Sequence, residues 1–255
     1  MTAAGSFAEA CQDVDYIVTA LPKTEHVENA VAGAGGILDS AGKGTMICDV
    51  STISPHASRA LADKATAKDM VFCDTPMSGG IMGAQAASLT FMVGASTVDD
   101  FERARIVLEG MGKKVFHCGD IGTGEIAKIV NNKIIGSQML AAAEGMNLGK
   151  TLGIDPKKLQ EILAVSTSSC WVTNGTNPVP GVVEGSPASR DYEGGFQVGL
   201  IAKDLRLAIS LGDEANCNLD TAKHSEAYYR TIEEGGKGDL DWGYVYQYIK
   251  NDKKV

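Results

Sequence analysis

The chain has no run of lysine or arginine, and its 23 Lys and Arg are outnumbered by 32 Asp and Glu, giving a formal net charge of −9. That balance opposes attraction to phosphate backbones and anionic lipid, so neither nucleic acid nor a membrane surface is expected as a partner. No stretch approaches the roughly 20 apolar residues of a membrane helix. The six cysteines, Cys11, Cys48, Cys73, Cys118, Cys170 and Cys217, are widely spaced with no C-x-x-C pair. This argues against zinc and against a disulfide framework, and favours a reducing compartment. The four histidines, His26, His56, His117 and His224, show no metal-ligand spacing, so no metal is expected, and nothing resembles a Ser-His-Asp constellation. No G-x-G-x-x-G follows a strand near the start: Gly33-Ala34-Gly35-Gly36 follows a helical pattern and leads into Ile37-Leu38, the wrong context for a phosphate-cradling turn. Internal repeats and low-complexity tracts are missing too. Met1 to Glu9 has neither the basic amphipathic character of a transit peptide nor the apolar core of a secretory signal. A sequence beginning downstream of a longer protein's start would look the same, so the compartment stays open.

What is present is the balance of a globular protein, 44% hydrophobic and 22% charged over 255 residues. As far as Cys118 the pattern alternates helix-like segments with short β-rich runs, each followed by Pro, Gly, Ser or Thr, which is the rhythm of βα units. The runs are residues 16–20, 46–50, 71–73, 89–93 and 114–117, and most are apolar on both faces, as in a covered parallel sheet. Helices are expected at 24–31, 55–67 and 98–111. After Gly124 the pattern becomes helical throughout, first over residues 125–152, on the order of 40 Å of helix. Gly153 is placed to end it, and Asp155-Pro156 to cap and open the next, 156–165. Residues 166–195 read as a loop, broken by Asn177-Pro178-Val179-Pro180-Gly181 and Gly185-Ser186-Pro187. Helices follow at 197–211, 221–233 and 242–250. The boundary falls near Ile121: an incomplete Rossmann-type α/β domain over 1–120, then an all-helical domain over 121–255.

Four segments carry candidate chemistry. In Gly122-Thr123-Gly124-Glu125-Ile126-Ala127-Lys128-Ile129-Val130-Asn131-Asn132, two glycines allow a tight turn into a helix start. Lys128 and Asn132, four apart, share a helix face. A lysine so placed can take a hydroxyl proton as hydride leaves, although a lysine snorkelling from an apolar helix has the same spacing. Asp74-Thr75-Pro76-Met77-Ser78-Gly79-Gly80 directly follows a strand. There Ser78 offers a hydroxyl and the glycines offer backbone N–H groups to a carboxylate, and a plain turn is the competing reading. Asp49-Val50-Ser51-Thr52-Ile53-Ser54-Pro55 also ends a strand, and part of it reads as a helix cap. Lys203-Asp204 lies in the late helix, where a surface ion pair is the default.

Taken in order, these segments, with Leu21-Pro22, Cys170-Trp171, the Asn177 to Gly181 loop and Gly194-Gly195-Phe196, resemble the β-hydroxyacid dehydrogenase family. Within it the Asn-Pro-Val-Pro-Gly loop is similar to the 3-hydroxyisobutyrate dehydrogenase branch. The resemblance implies an NAD-dependent oxidation of 3-hydroxyisobutyrate to methylmalonate semialdehyde, a step of valine breakdown. It implies Lys128 as general acid/base, and Ser78, Gly79, Gly80 and Asn132 as substrate-binding. Leu21, Pro22, Thr52 and Lys203 match cofactor-contacting positions, and His26 stands where a relative carries Asn. It further implies a homodimer or homotetramer assembled through the helical domain, and residence in the mitochondrial matrix, or in the cytoplasm of a bacterium. Competing readings are a tartronate semialdehyde or glyoxylate reductase type, and a non-catalytic association module. The family begins with a βαβ unit bearing the glycine-rich turn, so the resemblance implies a chain that starts around the third or fourth strand, with an exposed sheet edge.

Overall fold

The computed structural model describes residues 3–251, and the chain divides into two compact units, Met1–Ile129 and Val130–Val255. The first unit is α/β. In chain order it comprises α1 (Phe7–Ala10), β1 (Tyr16–Thr19), α2 (Thr24–Ala32), α3 (Ile37–Ser40), β2 (Met46–Asp49), α4 (Pro55–Thr66), β3 (Val71–Asp74), β4 (Met77–Ser78), α5 (Gly80–Gln85), β5 (Leu89–Gly94), α6 (Val98–Leu108) and β6 (Gly112–Gly119). Every apolar run read from the sequence is a strand. Strands β1, β2 and β3 pair in parallel, β2 aligning Asp49 with Asp74 of β3.

The sheet is covered on both sides, which explains why its strands are apolar throughout. Successive residues of β2 point to opposite faces. Ile47 packs with Val27 and Val31 of α2 and Leu61 and Ala65 of α4. Met46 and Cys48 pack instead with Phe91, Val93 and, from α6, Ala104 and Leu108. Cys48 and Cys73 are fully buried in this second core, and burial pushes the Cys48 thiol up to about 12, so it behaves as a small hydrophobe. All six cysteines are free thiols.

In one respect the sheet departs from a purely parallel expectation: β5 meets β3 antiparallel at Asp74↔Gly94, and β4 lies antiparallel on β5. A parallel return needs a crossover of a dozen or more residues, usually a helix running back along the sheet. Between β3 and β5 lie residues 75–88, but these are taken up by β4 and the six-residue α5, leaving no helix long enough to run back along the sheet. Parallel pairing is restored between β5 and β6, joined through α6.

Helix α7 (Thr123–Thr151) opens the helical part of the chain and is 29 residues long, about 40 Å. It is followed by α8 (Pro156–Val165), α9 (Trp171–Asn174), α10 (Val198–Glu214), α11 (Asp220–Ile232) and α12 (Val245–Asn251). As the sequence suggested, Asp155 caps α8, its Oδ1 accepting from Lys158 N at 3.0 Å. The core of the second unit gathers Met139, Ala143 and Met146 of α7, Ile201 and Leu205 of α10, Tyr229 of α11, and Trp242. The 166–195 loop contains only α9 and a 3-10 turn at Pro187–Arg190. It is held by side chains, with Asn177 Oδ1 accepting from Val179 N and Tyr192 OH donating to Pro178 O.

Asp241 closes this unit's last turns. Its Oδ1 accepts from Gly243 N and its Oδ2 from Phe196 N, each at 2.9 Å. Burial nevertheless lifts its carboxyl to about 6, against the opposing pull of those two hydrogen bonds and of the Arg190 charge. The folded form therefore holds its proton more tightly than the unfolded chain. The resulting stabilisation is full below pH 4 and is lost as pH rises through about 6. Unfolding free energies of wild type and Asp241→Asn, measured between pH 4 and 7, should show the wild type losing ground to the variant across this window. A constant difference would contradict the assignment.

Candidate active site

The carboxyl ends of β1 and β2 are tied together by one buried carboxylate. Asp49 Oδ1 accepts from Thr19 Oγ1 at 2.7 Å and Ser51 Oγ at 2.6 Å, and Ser51 Oγ accepts from Leu21 N at 2.9 Å. This small network lies wholly within the fold and sets the segments carrying Leu21-Pro22 and Thr52 side by side beyond the strand ends. Burial raises the Asp49 carboxyl above its ordinary value, and the hydrogen bonds from Ser51 and Thr19 work against that rise.

Beyond β3 the chain enters Thr75-Pro76 and then β4, which ends at Ser78. Gly79 has φ +138° and Gly80 φ +60°, so two consecutive residues adopt backbone that L side chains rarely take. Ser78 is half-buried while both glycines are exposed. The turn therefore sets exposed glycine backbone beside a half-buried serine, groups that a carboxylate ligand could use.

Lys128 sits in the second turn of α7 and is half-buried. The start of this helix is fastened to the sheet. Asp74, the last residue of β3, accepts from Gly122 N at 2.7 Å through Oδ1 and from Glu125 N at 2.9 Å through Oδ2. Glu125 Oε2 in turn accepts from Ile53 N at 3.2 Å, next to Thr52. Burial raises the Asp74 carboxyl, while the backbone N–H groups of Gly122 and Glu125 favour its charged form.

In the second unit, Asn132 is 1% exposed; its Nδ2 donates to Asp204 Oδ2 at 2.6 Å, and its Oδ1 accepts from Asn131 Nδ2 at 3.0 Å. An amide oxygen has two acceptor sites, so Oδ1 retains capacity for a hydroxyl. The other Asp204 oxygen, Oδ1, lies 3.1 Å from Lys203 Nζ, with side-chain exposures of 19% for the lysine and 3% for the aspartate. The pair is thus not the solvated surface pair that its residue types suggest, because Asp204 lies on the core face of α10 with Ile201 and Leu205. Leu21, Pro22, Thr52, Ser78, Gly79, Gly80 and Lys128 belong to the first unit, Asn132 and Lys203 to the second. His26 is exposed in the first turn of α2. Among the described residues, no cluster of three His, Cys, Asp or Glu could hold a metal, and no helix is long and apolar enough to cross a membrane.

Residues 1–119 match the family description "NAD binding domain of 6-phosphogluconate dehydrogenase", and residues 122–249 match "NAD-binding of NADP-dependent 3-hydroxyisobutyrate dehydrogenase". The chain is 43% identical to a probable mitochondrial 3-hydroxyisobutyrate dehydrogenase of Dictyostelium discoideum over 251 residues, 98% of this chain and 78% of that protein. The chain belongs to the 3-hydroxyisobutyrate dehydrogenase family. A Pseudomonas aeruginosa 3-hydroxyisobutyrate dehydrogenase is 42% identical over 207 residues, covering 81% of this chain and 69% of that one. Among solved structures, the Mycobacterium tuberculosis 3-hydroxyisobutyrate dehydrogenase with L-serine superposes with a TM-score of 0.87 at 34% identity, over 97% of this chain and 83% of that one. The protein is thus an oxidoreductase of the NAD(P)-dependent class.

The residues beyond β1 and β2 fit one part of such a cofactor, while the glycine-rich turn that would cradle its pyrophosphate is not among the 255 residues. In an open α/β sheet, dinucleotides lie in the crevice beyond the carboxyl ends of the parallel strands. Leu21, Pro22 and Thr52 stand there, held by the Thr19-Asp49-Ser51 network, with Pro22 exposed. The sequence placed Asp49, Asp74 and Asp204 inside its candidate segments without giving them a role; they are the buried acids that hold these segments. The available signal was an ionisable residue closing an apolar run or interrupting an apolar helix stripe.

Proposed function

We propose that this chain oxidises 3-hydroxyisobutyrate to methylmalonate semialdehyde, a step of valine breakdown, with NAD as cofactor and Lys128 as general acid/base. The observation that supports the reading most is the anchoring of Lys128's helix, through Asp74, to the strand that leads into Ser78-Gly79-Gly80. In this scheme Ser78 Oγ and the backbone of Gly79 and Gly80 hold the substrate carboxylate, and Asn132 accepts a hydrogen bond from the substrate. Leu21, Pro22, Thr52 and Lys203 contact the cofactor. Lys128, as the neutral amine, takes the proton of the alcohol and becomes an ammonium while the C–O bond gains its second bond. Bound NAD supplies the acceptor for the hydride lost from the same carbon.

The functional division falls near residue 121, with the cofactor side over 1–120 and the helical catalytic and dimerisation side over 121–255. Assembly is a homodimer or homotetramer through that helical part. The mitochondrial name of the Dictyostelium relative supports a mitochondrial matrix location. The direct test is a steady-state survey of hydroxy acids with NAD and with NADP. 3-Hydroxyisobutyrate with NAD should exceed glycerate in kcat/KM by at least about tenfold, the discrimination expected of a pocket that reads a methyl group. A preference for glycerate would assign the chain to the reductases of tartronate semialdehyde, and binding of neither cofactor would make it an association module.

A further inference from the structure

We propose that Asp74 is the positioning residue of the reaction, setting the Lys128 amine against the hydroxy acid by clamping the first turn of α7 to the strand end that carries the Ser78–Gly80 turn. The proposal rests on the reading of Lys128 as general acid/base. Helix caps are commonly local, a side chain accepting from an N–H two or three residues on. Asp74 caps α7 from 48 and 51 residues away, one oxygen taking Gly122 N and the other Glu125 N. Those N–H groups belong to the helix start, where no intrahelical acceptor exists, and bonds from N–H to an ionised carboxylate are about twice as strong as neutral ones. Asp74 is fully buried, so it reaches the substrate only through other residues.

The position of this carboxylate leaves its side chain no latitude. Its ladder partner Gly94 and the helix residue Gly124 crowd it: a Cβ would stand 2.3 Å from Asp74 Oδ1 at the first and 2.9 Å from Oδ2 at the second. Lys128 follows Glu125 by three residues, and Ser78 follows Asp74 by four. One carboxylate therefore references both the proton acceptor and the substrate clamp to the end of β3. The Glu125 bond to Ile53 N gives the same helical turn a second reference, to the loop bearing Thr52. Misplacing a reacting group by about 1 Å can cost on the order of 100-fold in rate, so a residue that fixes this geometry controls kcat while leaving binding alone.

Asp74→Asn preserves size and places an NH2 against one of the two N–H donors, loosening the clamp. The experiment is a double-mutant cycle of Asp74→Asn and Lys128→Ala, with kcat expressed per cofactor-binding site titrated with NADH. Asp74→Asn should lower kcat per site by about 30- to 100-fold, with the KM for 3-hydroxyisobutyrate little changed. In the Lys128→Ala background the same substitution should lower the residual rate hardly at all, because there is no longer an amine to misplace. Wild-type kcat in Asp74→Asn beside an inactive Lys128→Ala overturns the positioning role alone. Equal losses in both backgrounds, or a loss accounted for by missing binding sites, also overturn it and leave Asp74 a structural residue. Wild-type turnover in Lys128→Ala overturns the acid/base reading itself. If Asp74→Asn does not fold, Gly94→Ala, whose methyl displaces the same carboxylate, is read by the same criteria.

Discussion

Lys128→Ala should lower kcat for 3-hydroxyisobutyrate oxidation by about 100- to 10,000-fold, the contribution of a positioned acid/base, with the KM close to that of the wild type. Two features give the lysine this weight. Its helix start is fixed to the sheet by Asp74 and to the loop bearing Thr52 by Glu125, so the amine leaves from a rigid platform. The substrate's carboxylate is assigned to a different element, the Ser78–Gly80 turn, so removing the amine takes away an interaction made in the transition state and leaves ground-state binding in place. Steady-state kinetics of the purified variant, checked for unaltered NADH binding, measures the effect. A variant with wild-type kcat would remove Lys128 from the chemistry.

Ser78→Ala should act on the other side of this division, raising the KM for 3-hydroxyisobutyrate by about 10- to 100-fold, as expected for one lost hydrogen bond to a charged group. Ser78 is half-buried at the end of β4 and pairs with Thr90 in the ladder through its backbone, so the substitution leaves the sheet intact. Binding of NADH should be unaffected, since the residues proposed to contact the cofactor, Leu21, Pro22, Thr52 and Lys203, lie on other segments of the chain. A KM within twofold of wild type would move the carboxylate elsewhere.

The strands were legible because each is a short apolar run covered on two faces, and β2, with every residue buried, is the plainest case. Helices α7 and α8 announced themselves by length and by the Asp155 cap. Helices of four or six residues, α1, α3, α5 and α9, carry too few residues to show a period, and the two-residue β4 none at all. Its antiparallel pairing on β5 follows from the brevity of the connection, which becomes apparent only when both strands are placed. The site segments were readable as motifs, whereas the acids that hold them were not, since Asp74 and Asp204 act on partners 48 to 72 residues away. Asp204 left a trace all the same. With Ile201, Leu205 and Ala208 it completes an i, i+3, i+4, i+7 stripe, and an aspartate on a core stripe requires a partner. Asn132, between Ile129 and Met139 on the buried side of α7, is the same kind of signal.

The pH dependence of kcat/KM for 3-hydroxyisobutyrate oxidation, compared in wild type and Lys128→Ala, tests the central claim most directly. A general base works only when unprotonated, so the wild-type rate should rise with pH through the titration of the lysine and then level off. In the variant that rise should vanish, leaving a low rate that is flat over the same range. A variant retaining the wild-type ascending limb would show that the proton leaves to another group and would contradict the account.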